Sequence, residues 1–145
     1  MTHTLKLTTT LDQDAMRPYW PAVIEQLEEY VSMYPSHTTL DDLLSKIAGG
    51  ELQLWIVLDN DTNECVMSVV TKIVTLDATG AGAVQIYALA GQGLATLAPM
   101  IHDIISWAKK RFAITEAEIT GRPGIAKLLK PHGFTQEAVI MKRSA

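Results

Sequence analysis

The sequence predicts an α/β (α+β) fold in which one mixed, mostly antiparallel sheet is flanked by helices. The chain has 145 residues and is 48% hydrophobic and 19% charged, which suits one domain over residues 1–145 whose core needs no disulfide or metal. Its middle section shows strand-like runs between turn residues, whereas the sections before and after it show apolar residues at helical spacing. The predicted order is strand, two helices, three strands, helix, strand, helix and strand.

The first section predicts one short strand and two helices. Residues Leu5 to Thr9 are compatible with a strand. The buried face of the first helix is predicted from apolar residues three or four positions apart, namely Trp20, Val23, Ile24, Leu27, Val31 and Tyr34. The opposite face carries Glu25, Glu28 and Glu29. A shorter helix is predicted between a cap at Thr38 or Thr39 and a stop at Gly49-Gly50.

The middle section predicts three antiparallel strands in a meander. Leu52 to Leu58 places alternate leucine and isoleucine side chains on one face. Residues 59–63 are rich in Asp and Asn, which favour a tight turn. Glu64 to Leu76 is almost continuously apolar, as expected for a strand covered on both faces. Ala83 to Leu89 follows a glycine-containing turn and completes the meander.

The last section predicts a crossover helix and three short elements. Pro99 lacks an N–H and fits only the first turn of a helix. The crossover helix should therefore begin near Leu97 with Thr96 as its cap, or else begin earlier and kink. The elements that follow are a strand parallel to the preceding one, a short helix and a last strand, at Glu116–Thr120, Ile125–Lys130 and Ala138–Lys142.

Composition narrows the classes of protein that remain. The net charge of −4 argues against general nucleic-acid binding. Residues up to Met100 hold 4 Lys+Arg and 12 Asp+Glu, and the remainder holds 8 and 4, so the basic back half suits an anionic ligand or is simply a solvated face. The lone Cys65 in an apolar run predicts a buried thiol. With no signal-like start and no apolar stretch of about 20 residues, a cytoplasmic protein without membrane contact is expected.

Two segments resemble signature regions of the GNAT superfamily of N-acetyltransferases. In the first, the strand ending at Ala90 is followed by Gly91-Gln92-Gly93 and an amphipathic helix, where the family places its pyrophosphate-binding loop. In the second, the segment from Gly121 to Phe134 resembles the closing helix of the family. The Gly-Arg-x-Gly start and Gly-Phe end of that segment are similar to those of small GNAT-like proteins encoded by phages.

The resemblance implies a site for acetyl-CoA and an amine acceptor. The residues implied to contact the pantetheine and the pyrophosphate are Leu89, Ala90, Gly91, Gln92 and Gly93. Arg122 is implied to pair with a phosphate, and Tyr87 is the candidate catalytic residue near the acyl group. The acceptor would be a small-molecule or protein amine, and the glutamates of the first helix are candidates for attracting it. No metal is expected, because the four histidines lack metal-ligand spacing.

The sequence also departs from the family pattern. Ala88 stands where the family has Arg or Gln, and Leu129 stands where many members have the tyrosine that protonates the leaving thiolate. No carboxylate lies on the strand Ala83 to Leu89. A catalytically inactive GNAT-like binding or assembly protein, phage-encoded and acting in a virion or in the host cytoplasm, is therefore the alternative, and association into a homodimer is left open.

Overall fold

Five strands form one sheet in the computed structural model, which describes residues 2–120, 124–138 and 141–145. The strands are β1 (His3–Leu7), β2 (Leu52–Asp59), β3 (Cys65–Thr75), β4 (Gly82–Gly91) and β5 (Ile114–Ile119). Their order in the sheet follows their order in the chain. Neighbouring strands are antiparallel except β4 and β5, which are parallel. The predicted fold class, a mixed and mostly antiparallel sheet with flanking helices, is confirmed.

In the described part of the chain, six α-helices pack around this sheet. They are α1 (Gln13–Met16), α2 (Trp20–Met33), α3 (Leu40–Ala48), α4 (Leu94–Leu97), α5 (Ile101–Arg111) and α6 (Ile125–Leu129). Pro21 lies in the first turn of α2, where its missing N–H costs nothing. Thr39 is the cap of α3, because its hydroxyl accepts a hydrogen bond from the Asp42 N–H at 3.1 Å. Helix α1, capped by Asp12, was not predicted.

Alternation along the strands divides the core into two layers. Leu54 and Ile56 of β2 belong to the α2-side core, which also contains Val23 and Leu27 of α2. Trp55 belongs to the α5-side core on the opposite face, together with helical residues such as Ile101 and Ile104. Cys65 is buried in the α2-side core, as predicted. Trp20 is 36% exposed, so the prediction that it is a core residue was wrong.

The crossover after β4 differs from the preferred prediction. The helical path begins at Leu94 with Gly93 as its cap, so Thr96 is not the cap. The chain then passes through a 3-10 turn at Ala98–Met100 that contains Pro99, and α5 begins at Ile101. The missing N–H of proline is thus accommodated by a change of helix type. The alternative of an earlier start with an interruption is the one that the structure adopts.

Two further boundaries differ at the end of the chain. Strand β5 begins two residues earlier than predicted, at Ile114. The predicted last strand, Ala138 to Lys142, includes residues 139 and 140, which lie outside the described residues. The described residues of that segment are not in a strand.

Candidate functional site

Strand β4 leaves its parallel neighbour halfway along its length. Its pairing with β5 runs from Gly82 opposite Ile114 to Ile86 opposite Ile119. Its pairing with β3 continues to Gly91 opposite Met67. Residues 87–91 are therefore paired with β3 alone, and the backbone groups of alternate residues there point toward the gap that opens beyond β5. A ligand with amide groups of its own can pair with that edge as an extra strand would.

A bulge lies at the point where the two strands part. Val70 of β3 pairs with Ala88, and the next residue, Thr71, pairs with Ile86. Tyr87 is therefore the extra residue on β4. Tyr87 and Ala88 both pack on the α2-side core, as expected when a bulge places two consecutive side chains on one face. The bulge fixes the direction of Tyr87, the candidate catalytic residue.

Gly91 is required by close packing within the sheet. Its φ is +97°, and a Cβ at this position would lie 2.4 Å from the Val66 carbonyl oxygen and 2.9 Å from the Met67 Cα. The following N–H, of Gln92, donates to the same Val66 oxygen at 2.9 Å. The absence of a side chain at Gly91 therefore makes room for the backbone of β3. Because its N–H is used, Gln92 can donate hydrogen bonds to a ligand only from its side-chain amide.

Gly93 differs from Gly91 in both conformation and surroundings. It caps α4 with φ −76°, a value open to any residue, and no side chain bonds to the cap. A Cβ at Gly93 would meet nothing within 4 Å. The Thr96 N–H donates to the Gly93 carbonyl oxygen at 3.0 Å, so the N–H groups of Leu94 and Ala95 precede the first hydrogen bond of the segment. This arrangement favours an anionic group beside Gly93.

A pocket of about 140 Å³ lies between α2 and the end of β4. Its lining comes from α2 and from the unpaired half of β4, namely Gln26, Glu29, Tyr30, Met33, Tyr34, Leu89, Ala90 and Gly91. The volume is below the range of about 300–1,000 Å³ that holds a drug-sized ligand. The pocket therefore suits one end of a molecule. It includes three of the residues that were predicted to hold the cofactor.

The α2 wall of this pocket is held against β3 by one side chain. The Gln26 amide nitrogen donates to the Cys65 carbonyl oxygen at 3.0 Å, and the buried Ser68 hydroxyl donates to the Gln26 amide oxygen at 2.7 Å. The Cys65 thiol lies in the same place, and burial raises its pKa. These bonds fix the distance between α2 and the edge of the sheet that carries Gly91.

Tyr87 belongs to a cluster of rings beside the pocket. The centre of its ring is 4.6 Å from the His37 ring, and the Lys72 ammonium lies 5.8 Å from it on another side. The Tyr30 hydroxyl is 2.6 Å from the His37 Nδ1 and 3.4 Å from the Tyr87 carbonyl oxygen. The Tyr30 and Tyr34 rings are 5.0 Å apart. Tyr30 thus connects the pocket, the bulge and the imidazole.

Two groups of this ring cluster have shifted pKa values. Burial raises the pKa of Tyr30 to about 12, with smaller contributions from Tyr34 and Tyr87. Burial, helped by the charge of Lys142, lowers the pKa of His37. At neutral pH the phenol of Tyr30 is therefore protonated and the imidazole of His37 is largely uncharged. The pair can accept and pass on a proton.

The other residues singled out by sequence lie in different surroundings. Leu129 is 2% exposed in the α5-side core, where Leu89 packs against it. Arg122 lies outside the described residues. His132 is in a 3-10 turn after α6. Among the described residues, no three His, Cys, Asp or Glu side chains are grouped to hold a metal ion.

His37 and Tyr30 were not among the site residues predicted from the sequence. His37 is exposed, as is usual for a polar residue in a loop. His37 lies in the loop between α2 and α3, and this loop brings its ring over Tyr87 of β4. No helical spacing could have revealed them, because α2 ends at Met33 and His37 lies beyond Pro35 in the loop.

Solved acetyltransferase structures have the same fold. An acetyltransferase of Trypanosoma brucei superposes with a TM-score of 0.67 at 11% identity and with 99% of both chains covered. A GNAT family acetyltransferase of Staphylococcus aureus gives 0.65 at 10% identity and 100% of both chains. A predicted acetyltransferase of Clostridium acetobutylicum, crystallised with acetyl-CoA, gives 0.64 at 13% identity over 98% of this chain and 96% of that one. At such identities the likeness establishes the fold.

No protein-family model matches the chain, and no curated protein matches it in sequence. Within the described part of the chain, none of the helices has the length and apolar character needed to span a bilayer.

Proposed function

We propose that the chain is a GNAT-type N-acetyltransferase that transfers the acetyl group of acetyl-CoA to a primary amine. The observation that carries this proposal is the parting of β4 from β5 after Ile86, at a bulge centred on Tyr87. It occurs on a fold that solved acetyltransferases share. The gap offers backbone partners to a pantetheine arm, and the bulge marks the end at which an acyl group would lie.

The described residues could bind acetyl-CoA through backbone N–H and C=O groups, and no charged side chain among them is assigned to the cofactor. When bound, the cofactor supplies an activated acetyl thioester. Leu89 and Ala90 would pair with the pantetheine arm along the free edge of β4, which ends at Gly91. The first amides of α4 and the open space at Gly93 would take the pyrophosphate. Arg122 keeps its role as a candidate phosphate partner from sequence alone.

The structure offers groups that could position the acetyl group, but no side chain at the place of the family's tyrosine that could protonate the leaving thiolate. Tyr87 holds the bulge and contributes a ring beside the site. Leu129, at the place of the family's thiolate-protonating tyrosine, is buried and apolar. Acid–base groups typically contribute about 100- to 10,000-fold to a rate. The leaving thiolate would therefore take its proton from water in this chain, and catalysis would depend on positioning and on a proton acceptor elsewhere.

A second candidate function is binding without transfer. The buried Leu129 and Ala88 favour it, because neither can donate or accept a proton. In that case the chain would be a GNAT-like binding or assembly protein of the kind that phages encode. Acetyl-CoA binding without acetyl transfer to any amine, or no binding at all, is the outcome expected for this candidate.

A thermal-shift titration with acetyl-CoA tests the cofactor site. Ligand at 100 times its dissociation constant stabilises a fold by about 2.7 kcal/mol, which is roughly 5–10 °C in Tm for a chain of this size. We expect such a shift with acetyl-CoA and with CoA. No shift at millimolar concentrations of either would contradict the proposal.

A pair of substitutions at Gly93 locates the pyrophosphate. Both Asp and Asn are good helix caps, so Gly93→Asp and Gly93→Asn should fold as well as the parent. They have nearly the same size and differ by one negative charge. Gly93→Asp should bind acetyl-CoA at least about 10-fold more weakly than Gly93→Asn, because each tenfold is about 1.4 kcal/mol of repulsion. Equal affinities, measured by calorimetry, would place the diphosphate elsewhere.

A further inference from the structure

We propose that His37, coupled to Tyr30, accepts the proton that the acceptor amine loses, and that this amine is a monocation on an apolar body bound between α2 and the end of β4. The inference rests on the acetyltransferase activity proposed above and names its acceptor site and its base. Strand β4 carries no carboxylate that could act as a base. The structure instead brings an imidazole to β4 from the loop between α2 and α3.

Tyr30 joins the pocket to the imidazole. Its side chain lines the pocket of about 140 Å³, and its hydroxyl is 2.6 Å from the His37 Nδ1. The same hydroxyl reaches the carbonyl oxygen of the bulge residue Tyr87 at 3.4 Å. In the tautomer of uncharged His37 that carries its proton on Nε2, the Tyr30 hydroxyl donates to Nδ1. Once Nδ1 carries a proton, the hydroxyl proton can turn to the Tyr87 carbonyl oxygen.

These two hydrogen-bond states define a proton path. An N–H bond of the amine breaks and an O–H bond to Tyr30 forms, while the original proton of Tyr30 moves to the His37 Nδ1. The amine nitrogen keeps the electron pair that it needs as a nucleophile, and His37 becomes a cation. The His37 ring is exposed, so it returns the proton to water. Charge and protons balance without a further reactant.

The charge states at neutral pH suit this path. The pKa of His37 is lowered by burial and by Lys142, so the accepting form dominates above an ordinary histidine pKa of about 6.5. The pKa of Tyr30 is raised to about 12, so the phenol passes a proton on and does not ionise. The groups that face His37 are Tyr30 from α2, Tyr87 from β4 and Lys142 from the C-terminal segment.

The pocket lining selects the kind of amine. Glu29 supplies one carboxylate, and Tyr30 and Tyr34 supply ring faces that attract an ammonium group. Met33 and Tyr34, which are 51% and 38% exposed, form an apolar rim that suits an apolar body. The Lys72 ammonium lies 5.8 Å from the centre of the Tyr87 ring and would repel a second positive charge. The chemistry thus favours a monoamine over a polyamine.

The test measures release of the CoA thiol from acetyl-CoA with 2-phenylethylamine and with spermidine as acceptors. We expect kcat/KM to be higher for 2-phenylethylamine. The rate should rise with pH through the pKa of His37, below about 6.5, and rise again near pH 10 as the free ammonium loses its proton. His37→Gln should lower kcat/KM about 100-fold and abolish the lower rise while leaving the upper one. Tyr30→Phe should also lower kcat/KM and weaken the lower rise.

Matched variants separate this role from general damage. His102 is another exposed histidine, bonded at 3.3 Å to the Ser106 hydroxyl on α5, and His102→Gln should change nothing. Glu29→Gln should raise KM for the amine with little effect on kcat, whereas Glu28→Gln on the same helix should not. His37→Gln is also titrated with acetyl-CoA, because loss of the base should not change the affinity for the cofactor.

Each outcome bears on one of the two proposals. If the parent protein gives no thermal shift with acetyl-CoA, the proposed function fails and this inference falls with it. If the parent binds acetyl-CoA and acetylates 2-phenylethylamine, an unchanged rate and pH profile in His37→Gln overturn the inference alone. Cofactor binding with no acetylation of either amine, or faster acetylation of spermidine, overturns the assigned class of acceptor.

Discussion

The two halves of β4 have the same neighbour on one side and different surroundings on the other. From Gly82 to Ile86 the strand is paired with both β3 and β5, and Val84 and Ile86 are buried in the α5-side core. From Tyr87 to Gly91 it is paired with β3 alone and borders the pocket. The first half is therefore stabilised by its contacts, whereas the second has backbone groups available to a ligand. The bulge at Tyr87 is the boundary between them.

The same contrast is repeated between the two glycines that follow the bulge. Gly91 needs a positive φ and close contact with Val66, so it serves the sheet. Gly93 has an ordinary φ and open space around it, so it is free to serve a ligand. Gly91 and Gly93 are therefore glycines for two different physical reasons, and substitutions at the two positions should have different effects.

The largest effect is expected at Gly91. In Gly91→Ala the new Cβ would lie 2.4 Å from the Val66 carbonyl oxygen, and alanine is strained at φ +97°. Backbone strain and overpacking together should cost about 4 kcal/mol of unfolding free energy. Gly93→Ala should change it by less than about 1 kcal/mol. Urea denaturation measures both, and equal losses would show that the two glycines do not differ as described.

A smaller difference is expected between large side chains of the two halves. Ile86→Ala removes a side chain that is 5% exposed in the α5-side core and should cost about 3 kcal/mol. Leu89 is only partly buried, so Leu89→Ala should cost about 1 kcal/mol. The same denaturation experiment ranks them. A loss at Leu89 as large as that at Ile86 would mean that the second half of β4 is as firmly packed as the first.

The fold was predictable because its signals are local. Strand β3 is a run of apolar residues between turns, and α2 repeats apolar residues at helical spacing, so each fragment indicates its own structure. The start of the crossover helix was harder, because Pro99 predicts a late start only if the helix is regular. The chain instead tightens to a 3-10 turn at Ala98–Met100, which a local rule does not anticipate.

The site was predictable only in its backbone. Gly91 and Gly93 identified the end of β4, since glycine marks backbone geometry in the sequence itself. The contacts of His37 with Tyr30 and Tyr87 depend on how a loop folds back over a strand fifty residues away along the chain. The bulge that turns Tyr87 toward that loop depends on register with β3. Neither the fold of the loop nor the register of the bulge produces a pattern of residue spacing. Tyr87 could therefore be predicted from the sequence, but its partners could not.

The smallest expected effect concerns the phenol of Tyr30 on α2, whose hydroxyl contacts the bulge of β4 at Tyr87. Its pKa is raised from about 10 in an unfolded chain to about 12, so the folded state holds the proton more tightly. Stability that depends on this proton is fully present below pH 10 and is lost as pH rises toward 12. Tyr30 is only half-buried, so solvent screening should leave about 1 kcal/mol of this loss. Urea denaturation between pH 9 and 11.5 should show a slope that Tyr30→Phe reduces and Tyr34→Phe retains. A slope unaffected by Tyr30→Phe would mean that the hydroxyl between His37 and the bulge is as well solvated as that of a free tyrosine.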